Sequence, residues 1–203
     1  CEKSCGCGPG CKRKWQGCLC HSGRRPKGKS VCWEDDRCAC WQKSRECDPD
    51  LCGDCGVADV LDPVHRHDES ILQNRCGMAS LQRGVAKHTI VGDSGVHGLG
   101  LYACEDIRVD EFVGEYKGET ITKEEADRRG AVYEHQKLCY LFTLNRQQEI
   151  DSTYFGNKTR FINHIDGFKS NLRPLISMVN TVFRIGMYAK KNIRAGEEFF
   201  FDY

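Results

Sequence analysis

Cysteine spacing is the strongest chemical signal in this chain: twelve of its fifteen cysteines lie between Cys1 and Cys55. The order is Cys1, Cys5, Cys7, Cys11, Cys18, Cys20, then Cys32, Cys38, Cys40, Cys47, Cys52 and Cys55, with three C-x-C pairs at Cys5/Cys7, Cys18/Cys20 and Cys38/Cys40. Thiolates two residues apart, with partners a few residues on, suit tetrahedral zinc. So few apolar residues accompany them that metal binding must supply the folding energy of this segment. A disulfide framework of a secreted domain is the competing assignment; the repeated C-x-C pairs favour metal. His21 follows Cys20 and could add a ligand, but it also opens the Gly/Arg/Lys-rich loop His21–Ser30, the assignment preferred here. Cys76, Cys104 and Cys139 stand singly, and the last two, in strand-like surroundings, are expected to be buried free thiols.

Charge is uneven along the same segment. Lys12–Lys14 and Arg24–Lys29 make a basic stretch free of acids, whereas seven acids fall between Glu34 and Asp54. The basic stretch either grips nucleic-acid backbone without reading sequence or is a solvated loop. No apolar run approaches the length of a membrane span. Both ends read as internal to a longer protein.

From about Ala86 the pattern changes to short strands. Thr89–Val91, Leu99–Cys104, Phe112–Tyr116, Tyr140–Leu144, Ile176–Val182 and Ile185–Ala189 alternate or run apolar. One helix is expected, with Thr122 as cap and Glu125 completing a capping box ahead of Ala126–Gln136. These elements predict a mostly β, α+β domain over 86–203, after a cysteine module over 1–57 and a connector over 58–85. Within it, Gly98-Leu99-Gly100 opens a strand where glycine allows close approach of a ligand to backbone. Asn163-His164 follows the apolar, strand-like Phe161-Ile162, and the chain ends in Glu197-Glu198-Phe199-Phe200-Phe201-Asp202-Tyr203.

Four segments in order, Gly98-Leu99-Gly100, Tyr116-Lys117-Gly118, Gly156-Asn157-Lys158-Thr159-Arg160-Phe161-Ile162-Asn163-His164 and the terminal Glu197–Tyr203, resemble the signatures of SET-domain methyltransferases. The cysteine array resembles the CXC, or pre-SET, modules in which nine cysteines share three zinc ions. The nine run either from Cys5 to Cys47 or, the preferred frame, from Cys11 to Cys55, with Cys1, Cys5 and Cys7 belonging to an upstream cluster. Such a cluster carries about −3 formal charge, offsetting part of the basic field. Glu46–Cys52, Gly114–Glu119, Glu125–Gly130 and Gly156–Phe161 narrow the resemblance to the Enhancer-of-zeste family. That family methylates lysine 27 of histone H3 as the catalytic subunit of the Polycomb repressive complex.

The resemblance implies a SET fold with a knot-like C-terminal threading and one inserted helix. It implies S-adenosylmethionine held by His97, Gly98, Leu99, Gly100, Tyr116, Asn163, His164 and Tyr203. A lysine channel would be lined by Tyr116, Phe142, Phe201 and Tyr203, with Phe201 leaving room for trimethyl-lysine. It further implies a nuclear location, the histone H3 tail and nucleosome as substrate, and β-propeller and zinc-finger subunits as partners. The chain departs from the family at the His21–Ser30 insertion, at Leu99 in place of the usual tryptophan, and at Ser152 and Ile162 in place of alanine; Ile165–Ser177 is unassigned. A pocket-closing segment is expected beyond Tyr203, so this stretch alone is not expected to suffice for activity. Two other functions compete: methylation of lysine 9, and a zinc-dependent nucleosome- or DNA-binding module without catalysis. The Enhancer-of-zeste blocks disfavour the first, and the intact Asn163-His164 and Asp202-Tyr203 pairs the second.

Overall fold

Two different ways of filling a core divide the chain. The computed structural model describes residues 15–21, 30–136 and 138–203. Cys1, Cys5, Cys7 and Cys11, and the basic stretches Lys12–Lys14 and Arg24–Lys29, lie outside the described residues. One compact unit comprises Cys1–Val85 with Ser177–Arg184; the other comprises Ala86–Ile176 with Ile185–Tyr203. The stretch 58–85 falls within the first of these units.

In the first unit sulfur takes the place of hydrocarbon. Its core is a cluster of cysteines with Val31, Val57, Val60, Met78 and Ala79, wrapped by short helices α1 (Ala39–Gln42), α2 (Val57–Leu61) and α3 (Ser80–Arg83). None of these reaches two turns, so side-chain anchors replace helix propensity. The buried Glu46 carboxylate accepts hydrogen bonds from the amides of Leu81 (2.7 Å) and Gln82 (3.0 Å) in the first turn of α3. Burial pushes its pKa up, while those amides and the Gln82 side chain pull the other way.

The second unit is built from strands. They are β1 (Thr89–Asp93), β2 (Leu99–Ala103), β3 (Phe112–Tyr116), β4 (Glu119–Thr122), β5 (Leu141–Thr143), β6 (Gln148–Asp151), β7 (Asn163–His164), β8 (Leu172–Val179), β9 (Val182–Ala189) and β10 (Phe200–Phe201). Four small sheets result, ordered β1-β2, β10-β7, β3-β9-β8 and β4-β6-β5. Phe199, Leu101, Ile107, Ile162, Leu172, Ile185, Met187 and Ile193 fill the interior between them. Pro174 fits within β8 because β8 is an edge strand of its sheet. Among the described residues no helix is long and apolar enough to cross a membrane.

Several sequence expectations change. The expected strand Ile176–Val182 spans the end of β8, a turn and the start of β9. Asn180 (φ +46°) and Thr181 (φ +74°) make that turn, leaving the hairpin tip with the first unit. Phe161 closes a 3-10 turn over Lys158–Phe161 instead of entering a strand. Strand β6 is not legible in the sequence because two of its buried positions, Glu149 and Asp151, are acidic, and β4 offers a single buried apolar residue, Ile121. Lys123 Nζ bonds Glu149 at 2.6 Å, and Arg129 (2.9 Å) and Tyr133 (2.8 Å) bond Asp151. Helix α4 (Lys123–Gln136) starts at the expected cap, Thr122 Oγ1 accepting the Glu125 amide at 3.3 Å. The reciprocal half of the box is absent, since Glu125 turns to Arg128 and Arg129, which hold its carboxyl down at about pKa 2. Cys104 and Cys139 are exposed, not buried. Cys104 follows buried Ala103 and alternates outward, and Cys139 lies in the loop between α4 and β5.

A β-branched residue at positive φ is strained. Thr181→Gly is expected to stabilise the protein by about 1 kcal/mol in chemical denaturation.

Candidate active and metal sites

Among the described residues, the thiols of Cys18, Cys20, Cys32, Cys38, Cys40, Cys47, Cys52, Cys55 and Cys76 converge. Three sets of four, Cys18/Cys38/Cys40/Cys47, Cys18/Cys32/Cys47/Cys55 and Cys18/Cys20/Cys32/Cys38, each hold their sulfurs within 4.8 Å of one another. Cys52 joins through Cys40 (Sγ to Sγ 3.6 Å). Several thiols belong to more than one set, the geometry that zinc ions bridged by shared thiolates need. Nine convergent sulfurs therefore suit a shared zinc cluster.

Cys76 is the residue that sequence spacing missed. It sits 21 positions after Cys55, too far for any ligand pattern, and reaches the cluster because Val31 and Cys76 form a parallel bridge. Its thiol interacts with those of Cys32, Cys47 and Cys55, giving the eight thiols from Cys18 to Cys55 a ninth companion. His21 is no part of these sets; its Nδ1 lies 3.5 Å from Asp54.

The second site is assembled in the strand unit from four separate elements. Strands β7 and β10 run parallel, pairing Asn163 with Phe200 and His164 with Phe201. This brings the Asn163-His164 pair against the terminal residues. The Tyr203 amide donates to His164 Nδ1 (3.1 Å), which leaves His164 Nε2 to donate to Asp166 (3.1 Å). The Tyr203 and His164 rings lie 5.0 Å apart. From Tyr203 a continuous row of rings runs inward: Phe201 at 4.4 Å, Phe142 stacked on Phe201 at 5.5 Å and 15°, then Tyr116 at 5.1 Å from Phe142.

Both tyrosine protons in this row are engaged. Tyr116 donates to the Tyr140 carbonyl (3.0 Å) and Tyr203 to the Ile162 carbonyl (3.1 Å). Burial pushes both phenol pKa values up, so both stay neutral at physiological pH. Their lone pairs remain to accept from an incoming donor. Arg160 acts next to the row: its guanidinium bonds the carbonyls of Ser152 and Thr153 and lies over the rings of Phe161 and of Tyr140, whose carbonyl takes the Tyr116 proton. Ser152 is itself buried and donates to the Lys117 carbonyl.

The Gly98 turn borders this site. Gly98 takes φ +51° with open space where a Cβ would point, and His97 and Leu99 are exposed. The Asn163 side-chain amide donates toward the carbonyls of His97 (3.2 Å) and Leu99 (3.1 Å), joining turn and pair. Open backbone, an amide and a carboxamide oxygen fit a ligand bearing both apolar and hydrogen-bonding parts.

Asn171, in the unassigned Ile165–Ser177 stretch, holds the arrangement together. It is buried; its Nδ2 donates to the Glu198 carbonyl (2.7 Å), its Oδ1 accepts the Phe200 amide (2.8 Å), and its own amide donates to the Phe200 carbonyl (3.1 Å). The side chain thus acts as a strand edge for β10. With Lys169, Ser170 and Arg173 around it, nothing in the sequence sets Asn171 apart.

The SET domain family model matches residues 98–203, and the CXC domain model matches residues 17–57. The chain belongs to the SET-domain family. Aligned over its whole length, this SET protein is 44% identical to the histone-lysine N-methyltransferase EZH2 of Chaetomium thermophilum, covering 14% of that protein. It is 37% identical to the histone-lysine N-methyltransferase MEDEA of Arabidopsis thaliana, covering 28%. Its fold is similar to an active polycomb repressive complex 2 in the basal state (TM-score 0.81, 43% identity, 94% of this chain and 24% of the other). It is also similar to the Chaetomium complex in an autoinhibited conformation bound to S-adenosylmethionine (TM-score 0.84, 40% identity, 100% and 26%). A third match is that complex with H3K27me3 and H3K27M (TM-score 0.85, 40% identity, 100% and 24%). The SET chain thus spans under a third of each curated relative described.

Two outcomes test these sites. Asn171→Ala should destabilise the SET unit by about 2–3 kcal/mol in denaturant titration, since the Phe200 amide and Glu198 carbonyl lose their partners. Cys76→Ser should leave the protein folded at saturating zinc but make it lose metal sooner under a chelator, followed by zinc release.

Proposed function

We propose that the protein is an S-adenosylmethionine-dependent protein-lysine N-methyltransferase acting on lysine 27 of histone H3, giving up to trimethyl-lysine in chromatin silencing. The observation that carries this reading is the row Tyr116–Phe142–Phe201–Tyr203 ending beside Asn163-His164 and the Gly98 turn. Such a site has an apolar wall for an amine at one end and polar groups for a cofactor at the other. The relatives' names and the histone peptides bound in one similar complex support the substrate.

S-adenosylmethionine, when bound, supplies a methyl group on a positively charged sulfur. His97, Gly98, Leu99, Gly100, Tyr116, Asn163, His164 and Tyr203 would hold it. The chain's own work is to deliver a neutral amine in line with that methyl, and positioning alone can contribute much of the acceleration. The aromatic walls disfavour the ammonium form by desolvation. The two phenols, their protons committed to the Tyr140 and Ile162 carbonyls, accept from the amine N–H and aim its lone pair. Neutral phenols at physiological pH make poor bases, so the amine loses its proton to solvent before reaction. Ring faces tolerate the methylated cation that results, and Phe201, lacking a hydroxyl, leaves room for further methyl groups.

The clustered thiols bind zinc, with Cys1, Cys5 and Cys7 serving an upstream cluster. Lys12–Lys14 and Arg24–Lys29 add a grip on nucleosomal DNA. The protein works within a Polycomb repressive complex, a reading the similar complexes support; its place is the nucleus, and its partners there are β-propeller and zinc-finger subunits.

The full-length protein assembled with its partner subunits should transfer labelled methyl groups to nucleosomes. Arginine in place of lysine 27 of histone H3 should abolish that label, whereas arginine in place of lysine 9 should leave it. Tyr203→Phe should lower kcat at least about 100-fold without changing the melting temperature. Label persisting without lysine 27, only monomethyl product by mass spectrometry, or full activity in Y203F would each refute the corresponding part.

A further inference from the structure

Glu198 sits where the two halves of the site meet, and no role assigned so far uses its carboxylate. Its Oε1 accepts from Asn163 Nδ2 at 3.2 Å. Its Oε2 lies 3.2 Å from the Tyr102 hydroxyl, which also reaches the Asp93 carbonyl at 2.5 Å. With the His97 and Leu99 carbonyls, Glu198 completes three acceptors around Asn163 Nδ2. An amide nitrogen has two protons, so this surround leaves no tolerable flipped state: a reversed amide would aim its oxygen at three acceptors. Nδ2 is therefore pinned inward, and among the described residues no donor reaches Oδ1.

Gly100 supplies an independent sign that the carboxylate position matters. A Cβ built on Gly100 would overlap the Glu198 carboxylate, with Oε1 and Cδ its two nearest atoms. Gly100 has no positive φ, so its backbone would accept alanine. The glycine is needed for the room it gives Glu198, 98 residues further along the chain.

We propose that Glu198 is a positioning residue for cofactor recognition, fixing the Asn163 amide so that Oδ1 faces the site as an acceptor for the ammonium of the cofactor's methionine tail. The assignment rests on the methyltransferase reading above. S-adenosylmethionine has two cationic centres, the sulfonium and the ammonium, and only the ammonium has N–H protons to donate. An acceptor oriented by a neighbouring carboxylate suits that group, and the carboxylate's charge adds attraction.

The test separates tail recognition from general damage to the pocket. Binding to the complete protein in its native complex is measured by calorimetry with S-adenosylhomocysteine, which carries the ammonium but no sulfonium. The paired probe is 5′-methylthioadenosine, which lacks the amino-acid tail. Glu198→Ala should weaken S-adenosylhomocysteine about tenfold and methylthioadenosine less than about twofold. Gly100→Ala should produce the same split by displacing the carboxylate, and the double variant should add nothing further, because both changes remove one interaction. If Glu198→Ala fails to assemble, Gly100→Ala carries the test alone. Equal weakening of both probes, or unchanged affinity for S-adenosylhomocysteine, would overturn the positioning role. Unmodified protein that binds neither probe would overturn the methyltransferase reading instead, and this inference with it.

Discussion

A parallel pairing only two residues long on each strand is the constraint on which the catalytic unit depends. Parallel strands cannot be joined by a tight turn, so β7 and β10 meet only after the chain has travelled out through the β8–β9 hairpin and back. So short a ladder has few backbone bonds of its own. The buried Asn171 amide supplies what it lacks, satisfying the Phe200 amide and the Glu198 carbonyl on the other edge of β10. Register follows from this, and with it the direction in which Phe201 and Tyr203 point. A slip of one residue would turn Phe201 away from Phe142 and carry Tyr203 off His164.

Polar groups do more of the positioning here than apolar ones. Arg160 ties the Ser152 and Thr153 carbonyls to the rings of Tyr140 and Phe161, while Arg129 ties Glu119 and Asp151 to helix α4. Asp151 is buried, which alone would raise its pKa; bonds from Thr153, Arg129 and Tyr133 bring it below the usual carboxylate range. The Asp151 carboxylate is thus met by several donors, which lets it fix geometry although buried, while the Thr153 hydroxyl beside it is left without a partner among the described residues. The cysteine unit follows the same logic with sulfur, its thiols converging where a conventional domain would place hydrocarbon.

Legibility in the sequence tracked how local each signal was. The C-x-C pairs, the helix cap at Thr122 and the strand at Phe112–Tyr116 each declare themselves within a few residues. Strand β6 was hidden because two of its three buried residues, Glu149 and Asp151, are acidic, whereas strands are recognised by apolar buried positions. Cys76 was hidden because its link to the other thiols runs through a bridge to Val31, 45 residues earlier. The stretch around Asn171 matched no pattern, although its side chain governs the final strand.

The sequence by itself determined the chemical inventory: thiols in numbers and C-x-C pairs that favour metal, paired amide and imidazole, and aromatic residues ending in a tyrosine. It also determined the family, because those types recur in a fixed order. Tertiary structure alone decided adjacency. Tyr116, Phe142, Phe201 and Tyr203 touch in a row because three strands from three different sheets converge, and Gly100 must lack a side chain because Glu198 occupies that space. Contacts of that kind depend on where distant backbones cross, which spacing along the chain does not encode.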